Sequence, residues 1–362
     1  MKVVNIIDRI DKVNFGIWNA ALSTSKILAK KYGVESIAVF PKIDDMPHIK
    51  NLYDAESIAL DTTSLERFND VVERFSPSDT IVVSHGAWRF PSVWACKASE
   101  KGFSWVYTPH GMLEPWGMNN KWIKKKIYFN FYEKSFVKKS SFVRAVSSVE
   151  KKNLEKYFRN VVLIPNGAEF ISANSNVNKP YTFLFLGRLN SKKCVVELLN
   201  AWRDSPLVNN VDFRLQIIGP DDGEYAALKN TFDLLPKNHN VSLSNSPVYG
   251  NDKQNLLLNS LFFILPSQSE GFPTSIIEAG LAGCIPVFTD GCNFPELEQC
   301  GLGIKIGSSY ASLLNLFKKI AADEFFVNDF DKKKVTSFFK ENYTVEKIAD
   351  MQFGIYNSLL KK

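Results

Sequence analysis

The chain opens on a compact apolar run, residues 3–7 (VVNII), followed at once by charged residues. A short apolar run bounded by polar residues is what a strand buried on both faces looks like. From there apolar runs alternate with stretches of helical period. Residues 18–32 place Ala21, Leu22, Ile27 and Leu28 among the apolar positions of one helix. Residues 37–40, 80–84 (TIVVS), 105–108 and 142–146 (FVRAV) are further strand runs, and 161–167 (VVLIPNG) follows. Strands alternating with helices predict parallel β-α-β units.

The pattern then restarts. Strands are expected at 181–186 (YTFLFL), 215–219, 262–266 (FFILP) and 285–289, with helices at 195–202, 224–235 and 275–282. Each half holds roughly six strand–helix units, enough for a doubly wound sheet of its own. Between them, residues 170–180 (FISANSNVNKP) are rich in Asn and Ser and close on Pro, the composition of a linker. With 362 residues the chain is long enough for two domains. The expected organisation is a first α/β domain over 1–169, a linker over 170–180, a second α/β domain over 181–341, and an amphipathic helix within 342–362 that packs back on the first.

Composition narrows the class. An apolar share of 45% and a charged share of 23% are ordinary for a globular protein and exclude a collagen-like or largely disordered chain. The net charge of +6 is too small to suggest wholesale nucleic-acid binding, and leaves room for a local basic patch. Five cysteines without a CxxC pair argue against a disulfide framework and fit a reducing cytoplasm. Asp8, Arg9 and Asp11 interrupt the N-terminus before a signal-peptide core forms. No apolar run approaches the ~20 residues that span a bilayer. A cytoplasmic protein is expected, soluble or peripheral on the inner membrane face.

Ligands of open parallel sheets bind at the carboxyl ends of the strands, so candidate chemistry is sought there. After FFILP comes Ser267-Gln268-Ser269-Glu270-Gly271-Phe272-Pro273-Thr274, then a helix carrying Glu278. The free N–H groups of such a junction hold anions, and the two carboxylates can bracket a polyhydroxylated ligand. Singly, the plainer reading holds: Glu270 is a solvated loop residue and Glu278 an early-helix acid complementing the dipole. After YTFLFL, Arg188 and Lys193 put two cations where a diphosphate would sit, or simply make a solvated basic loop. Gly16 follows the first strand and allows close backbone approach to a ligand, or is only a turn. His110 and His85 each end a strand, placed either to meet a substrate or to serve as structural hydrogen bonders. There is no GxGxxG after a strand, no P-loop, no zinc spacing and no GxSxG elbow. Asp329-Phe330-Asp331 reads as a solvated turn rather than a metal motif, and Cys292 as packing. Residues 121–144 carry eight cations and one acid interleaved with aromatics, the pattern of an amphipathic helix lying either on an anionic membrane or against the core.

Jointly, several motifs in order resemble the retaining nucleotide-sugar glycosyltransferases of family 4. They are PHGMLEPW (109–116), IPNG (164–167), LGRLNSKK (186–193), IIGPDDGEY (217–225) and LPSQSEGFPTSIIEAGLAGCIPVFTD (265–290). The resemblance implies the GT-B fold: two Rossmann-like parallel-sheet α/β domains facing across a cleft. It implies that Arg188 and Lys193 bind the donor diphosphate, that Glu270 faces the donor sugar near the transferring carbon, and that Glu278 holds the ribose. Backbone at Gly271, Phe272 and Thr274 would contact sugar or phosphate, His110 would approach the sugar from the first domain, Gly16 would line the phosphate loop, and the base would meet backbone near Val248. Three positions depart from the family pattern: Cys194 and Pro273 stand where Gly is common, and Phe15 precedes Gly16 where paired glycines are usual. With two cations opposite the leaving diphosphate, no cofactor and no essential metal are expected. The implied donor is a UDP- or GDP-sugar. The implied acceptor is a glycan or a polyprenyl-diphosphate-linked glycan, with O-antigen, lipopolysaccharide or capsule as product and an anionic membrane as a partner of residues 121–144. A non-catalytic nucleotide-sugar scaffold, or a GT-B epimerase or phosphorylase, is the alternative.

Overall fold

The computed structural model describes residues 1–11, 15–44, 48–119, 122–170, 180–322 and 330–361. Most of the expected linker, together with Asp329 and Lys121, lies outside them. The chain forms two compact units, Met1–Gly167 with Tyr343–Lys362, and Ala168–Asn342.

The first unit is built on a seven-stranded sheet, all parallel, in the order β3-β2-β1-β4-β5-β6-β7. Its strands are β1 (Lys2–Ile7), β2 (Glu35–Pro41), β3 (Glu56–Leu60), β4 (Thr80–His85), β5 (Ser104–Thr108), β6 (Phe142–Ala145) and β7 (Val161–Leu163). The second unit has a six-stranded parallel sheet in the order β10-β9-β8-β11-β12-β13. These strands are β8 (Tyr181–Leu186), β9 (Phe213–Ile218), β10 (Val241–Ser244), β11 (Phe262–Leu265), β12 (Ile285–Phe288) and β13 (Ile304–Lys305). In each sheet the order reverses once, between β1 and β4 and between β8 and β11. Such a reversal opens a crevice beyond the carboxyl ends of the two strands.

The central strands are mostly apolar because helices cover both faces, with a few buried polar residues such as Asn5, Ser84 and His85. β4 and β11 are buried at every residue. Three strands were not evident in the sequence, β3, β10 and β13, and all are sheet edges. Edge strands carry exposed polar positions, as in ESIAL and VSLS, so their apolar signal is broken.

Two expected helices differ from the reading above. Residues 18–32 form not one helix but two, Phe15–Leu22 and Ser25–Tyr32. The break is at Thr24, whose buried hydroxyl donates to Gln352 Oε1 at 2.6 Å. Gly16 therefore lies in the first turn of a helix rather than in a loop, and a Cβ added there meets nothing within 4 Å. The basic segment also breaks up, into helix Trp122–Tyr128, a π-helical turn Phe129–Glu133 and helix Lys134–Val137. The π turn points Glu133 inward, where it accepts from Tyr107 Oη at 2.9 Å and Ser92 Oγ at 3.1 Å.

The C-terminal helix Val345–Leu360 belongs to the first unit. Ala349, Tyr356 and Leu359 pack with Val3, Ile81, Val83 and Val106 on one face of the sheet. Tyr32 stacks on Phe353 with ring centroids 3.8 Å apart, and Lys31 pairs with Asp350 at 2.6 Å.

Candidate functional site

In the second unit the chemistry gathers at the β8/β11 crevice. The loop after β8 carries Arg188 and ends in a 3-10 turn, Ser191–Lys193. The loop after β11 carries Glu270. Lys193 Nζ lies 2.6 Å from Glu270 Oε1, with only 15% and 13% of the two side chains exposed. The loops are also joined through backbone, Gln268 N–H donating to Lys192 O at 2.9 Å. Burial pushes the Glu270 carboxyl up, but the charge and hydrogen bond of Lys193 outweigh it and hold it below the usual carboxylate range.

The Glu270 loop is pinned from below. Its N–H donates to Gly291 O at 2.6 Å, and Asn293 Nδ2 donates to Glu270 O at 2.6 Å. A Cβ at Gly291 would come within 2.4 Å of the Gln268 backbone, so only glycine lets the two loops meet. Gly271 and Thr274 lead into the helix Thr274–Leu281, and their N–H groups have no acceptor among the described residues. That leaves unbonded donors at a helix start, the kind of group that holds an anion. Phe272 is buried and packs on Phe294 with centroids 4.8 Å apart, so its side chain anchors the loop.

The remaining second-unit residues are spread around this centre. Arg188 Nη1 bonds Asp222 Oδ2 at 2.9 Å, and Asn190 Nδ2 shares that oxygen at 2.9 Å. Asp222 belongs to the loop after β9. Glu278 takes Lys253 Nζ at 2.7 Å on one oxygen and 2.6 Å on the other. Val248 lines a separate cavity of about 600 Å³ with Thr182, Gln216 and Asn255, lined by none of Arg188, Lys193, Glu270 or Glu278. Cys194, where the family favours Gly, has a φ of 51°, in the left-handed region that favours glycine.

In the first unit, His85 closes β4 and His110 follows β5. Their ring nitrogens Nδ1 and Nε2 are 2.9 Å apart. His110 has a φ of 53° and precedes Gly111, whose N–H donates to Glu150 Oε1 at 2.6 Å. The other oxygen of Glu150 accepts from Val146 N–H at 2.7 Å. Burial pushes the Glu150 carboxyl up to about 7, and burial lowers His110 to about 3 and His85 well below the usual imidazole value. Buried Arg144 donates to Ile164 O at 2.9 Å and Pro165 O at 2.8 Å, holding the IPNG turn. No group of His, Cys, Asp and Glu suited to a metal ion occurs among the described residues.

Two family models match the chain. "Glycosyl transferases group 1" matches residues 168–334 and "Glycosyltransferase Family 4" residues 44–170. The chain belongs to the family 4 glycosyltransferases. Solved structures agree on the GT-B fold of this glycosyltransferase. HepE of Anabaena in complex with UDP matches with a TM-score of 0.77 at 16% identity, covering 99% of this chain and 100% of that one. A glycosyltransferase from Rickettsia africae matches with a TM-score of 0.75 at 17% identity, covering 100% of this chain and 99% of that one. The lipopolysaccharide outer core galactosyltransferase WaaB, in its apo form, matches with a TM-score of 0.70 at 16% identity, covering 99% of this chain and 100% of that one. No curated protein sequence matches significantly.

Of the expected site residues of this glycosyltransferase, Lys193, Glu270, Gly271 and Thr274 meet at one place. Arg188 and Glu278 are held in ion pairs by Asp222 and Lys253. The sequence did not single out Asp222, Lys253, Asn293 or Glu150. Each acts through a contact at least 22 residues away along the chain, which no local motif encodes.

Proposed function

We propose that this glycosyltransferase moves a hexose-type sugar, with retention of configuration, from a nucleoside diphosphate sugar to a glycan or lipid-linked glycan. The carrying observation is the Lys193–Glu270 pair set beside the unbonded N–H groups of Gly271 and Thr274. Cleaving a sugar–phosphate bond builds negative charge on the leaving diphosphate and positive charge on the sugar ring. Lys193, Arg188 and the N–H groups stabilise the first, and the Glu270 carboxylate, ionised at neutral pH, stabilises the second. Diphosphate binding draws Lys193 from Glu270 and frees the carboxylate for sugar hydroxyls. Glu278 turns from Lys253 to the ribose. Two cations supply the charge a metal provides elsewhere, so no essential metal is proposed. Attack on the face from which the diphosphate departs gives retention.

UDP is the leading nucleotide and GDP the second, because HepE, which shares the fold, binds UDP and UDP-glucose. The acceptor is placed with the first unit, and a surface polysaccharide such as lipopolysaccharide is favoured by the likeness to WaaB. Attachment to an anionic cytoplasmic membrane face through residues 122–144 is part of the proposal. Trp122, Ile123, Ile127, Phe131 and Tyr132 are exposed there beside Lys124, Lys125 and Lys126, while Phe129 and Val137 face the core. No helix among the described residues is long and apolar enough to cross a membrane.

The test is Glu270→Ala assayed for sugar transfer from UDP- and GDP-sugars. Loss of turnover in a folded protein supports the assignment; unchanged transfer removes Glu270 from the chemistry. A wild type that binds nucleotide without turnover favours a scaffold.

A further inference from the structure

Three side chains of the first unit form a polar chain from the sheet interior to its carboxyl edge. Asn5 lies within β1 and His85 ends β4, both buried; His110 follows β5 and stays half-buried. Parallel pairing sets them side by side, with Ile7 opposite His85 and His85 opposite Thr108. His85 Nε2 is 3.0 Å from Asn5 Oδ1, and His85 Nδ1 is 2.9 Å from His110 Nε2.

Proton counting fixes the direction of this chain. Burial keeps both rings neutral, so each carries one N–H. The Asn5 amide oxygen only accepts, which puts the His85 proton on Nε2. His85 Nδ1 is then a bare lone pair, and the group facing it must donate. The His110 proton is therefore on Nε2, and His110 Nδ1 is bare. Nδ1 has no protein partner among the described residues. The backbone carrying the ring is held by the Gly111 N–H to Glu150 bond.

We propose that Asn5 and His85 are positioning residues that lock His110 in its Nε2–H tautomer, so that Nδ1 accepts a hydrogen bond from a ligand hydroxyl. A phosphate oxygen has no proton to offer at neutral pH, so His110 selects a hydroxyl-bearing group and not a diphosphate. That the hydroxyl is a sugar's rests on the transferase reading; the relay itself does not.

The experiment is long-range proton–nitrogen correlation of the imidazole rings in nitrogen-labelled full-length protein at neutral pH. Only four histidines are present, so His110→Asn assigns the ring in question. The expected spectrum has His85 and His110 protonated at Nε2 and bare at Nδ1. In Asn5→Leu, which has no acceptor, both rings should lose that fixed pattern and show mixed tautomers. A proton on His110 Nδ1 in the wild type overturns the relay, as does an unchanged His110 tautomer in Asn5→Leu. The wild-type spectrum decides even if the variant fails to fold. With UDP-glucose as probe, kcat/KM for UDP release should fall roughly tenfold in Asn5→Leu, the worth of one neutral hydrogen bond. A wild type that releases no UDP counts against the transferase reading with that donor and leaves the tautomer result standing.

Discussion

Replacing Lys193 with Met probes the centre of the proposed donor site through stability as well as binding. The pair is 2.6 Å apart and nearly buried. At an effective dielectric near 20, that separation gives a gross attraction of about 6 kcal/mol. Desolvation cancels much of it in the intact pair, but removing one partner strands the other charge. A fully buried pair broken this way costs about 3–5 kcal/mol, and the residual exposure puts this one near about 3. The pH dependence carries the signature. In the wild type Glu270 is held below its ordinary value, so its contribution is present above that value and is lost as pH falls through the folded one. In Lys193→Met burial, the largest influence, is opposed only by the lesser Ser267 hydrogen bond and Lys192 charge, and the carboxyl rises from its wild-type position. The deficit of the variant should therefore be largest at pH 8 and shrink as pH falls toward about 4.5, the ordinary Glu range. Urea unfolding of both proteins across that range measures it. The double variant Lys193→Met/Glu270→Gln should recover much of the loss, because the stranded charge is gone. An equal deficit at every pH, with no recovery in the double variant, would falsify the assignment of a coupled, buried pair.

Three further outcomes follow from the packing and charge. Glu150 titrates near 7 in the folded protein, so it holds a proton there that an unfolded Glu releases near 4.5. Its contribution falls by about 3 kcal/mol as pH rises from 4.5 to 7, against the opposite slope of His85 and His110 below pH 6.5; the urea-stability difference between wild type and Glu150→Gln should carry that slope. Gly280→Ala places a Cβ 2.0 Å from the Phe339 ring of helix Lys332–Tyr343 and should lower stability by about 1–3 kcal/mol, read as a drop in melting midpoint; an unchanged midpoint contradicts the tight approach. Replacing Lys124, Lys125 and Lys126 together by Glu should abolish binding to anionic liposomes at low salt, and unaltered binding removes that patch as an anchor.

The sequence carried the architecture wherever burial made a clean signal. β11 reads as an unbroken apolar run, and β4 as an apolar core, IVV, because both faces are covered. β3, β10 and β13 escaped because an edge strand mixes exposed polar positions with few buried ones. The helix break at Thr24 and the π turn at Glu133 were illegible for another reason. Each is set by a partner far along the chain, Gln352 in one case and Tyr107 in the other. The site divides the same way. Lys193, Glu270 and the helix start at Thr274 were legible because each follows a strand end. The partners of Arg188, Glu278 and Glu270, which are Asp222, Lys253 and Asn293, sit on other loops or, for Lys253, on the helix Gly250–Leu258. His85 and His110 each stand at a strand end in the sequence, and the adjacency of β4 and β5 is what joins them.

The most direct measurement is the melting midpoint of the purified protein with UDP, GDP, ADP, CDP and TDP in the presence of EDTA. A nucleotide at ~100 times its dissociation constant that binds only the folded state adds about 2.7 kcal/mol, an easily read shift. The expected result is a clear rise with UDP or GDP in EDTA, lost in Lys193→Met. No rise with any nucleotide in EDTA, or a rise that survives in Lys193→Met, contradicts a metal-independent diphosphate site at Lys193.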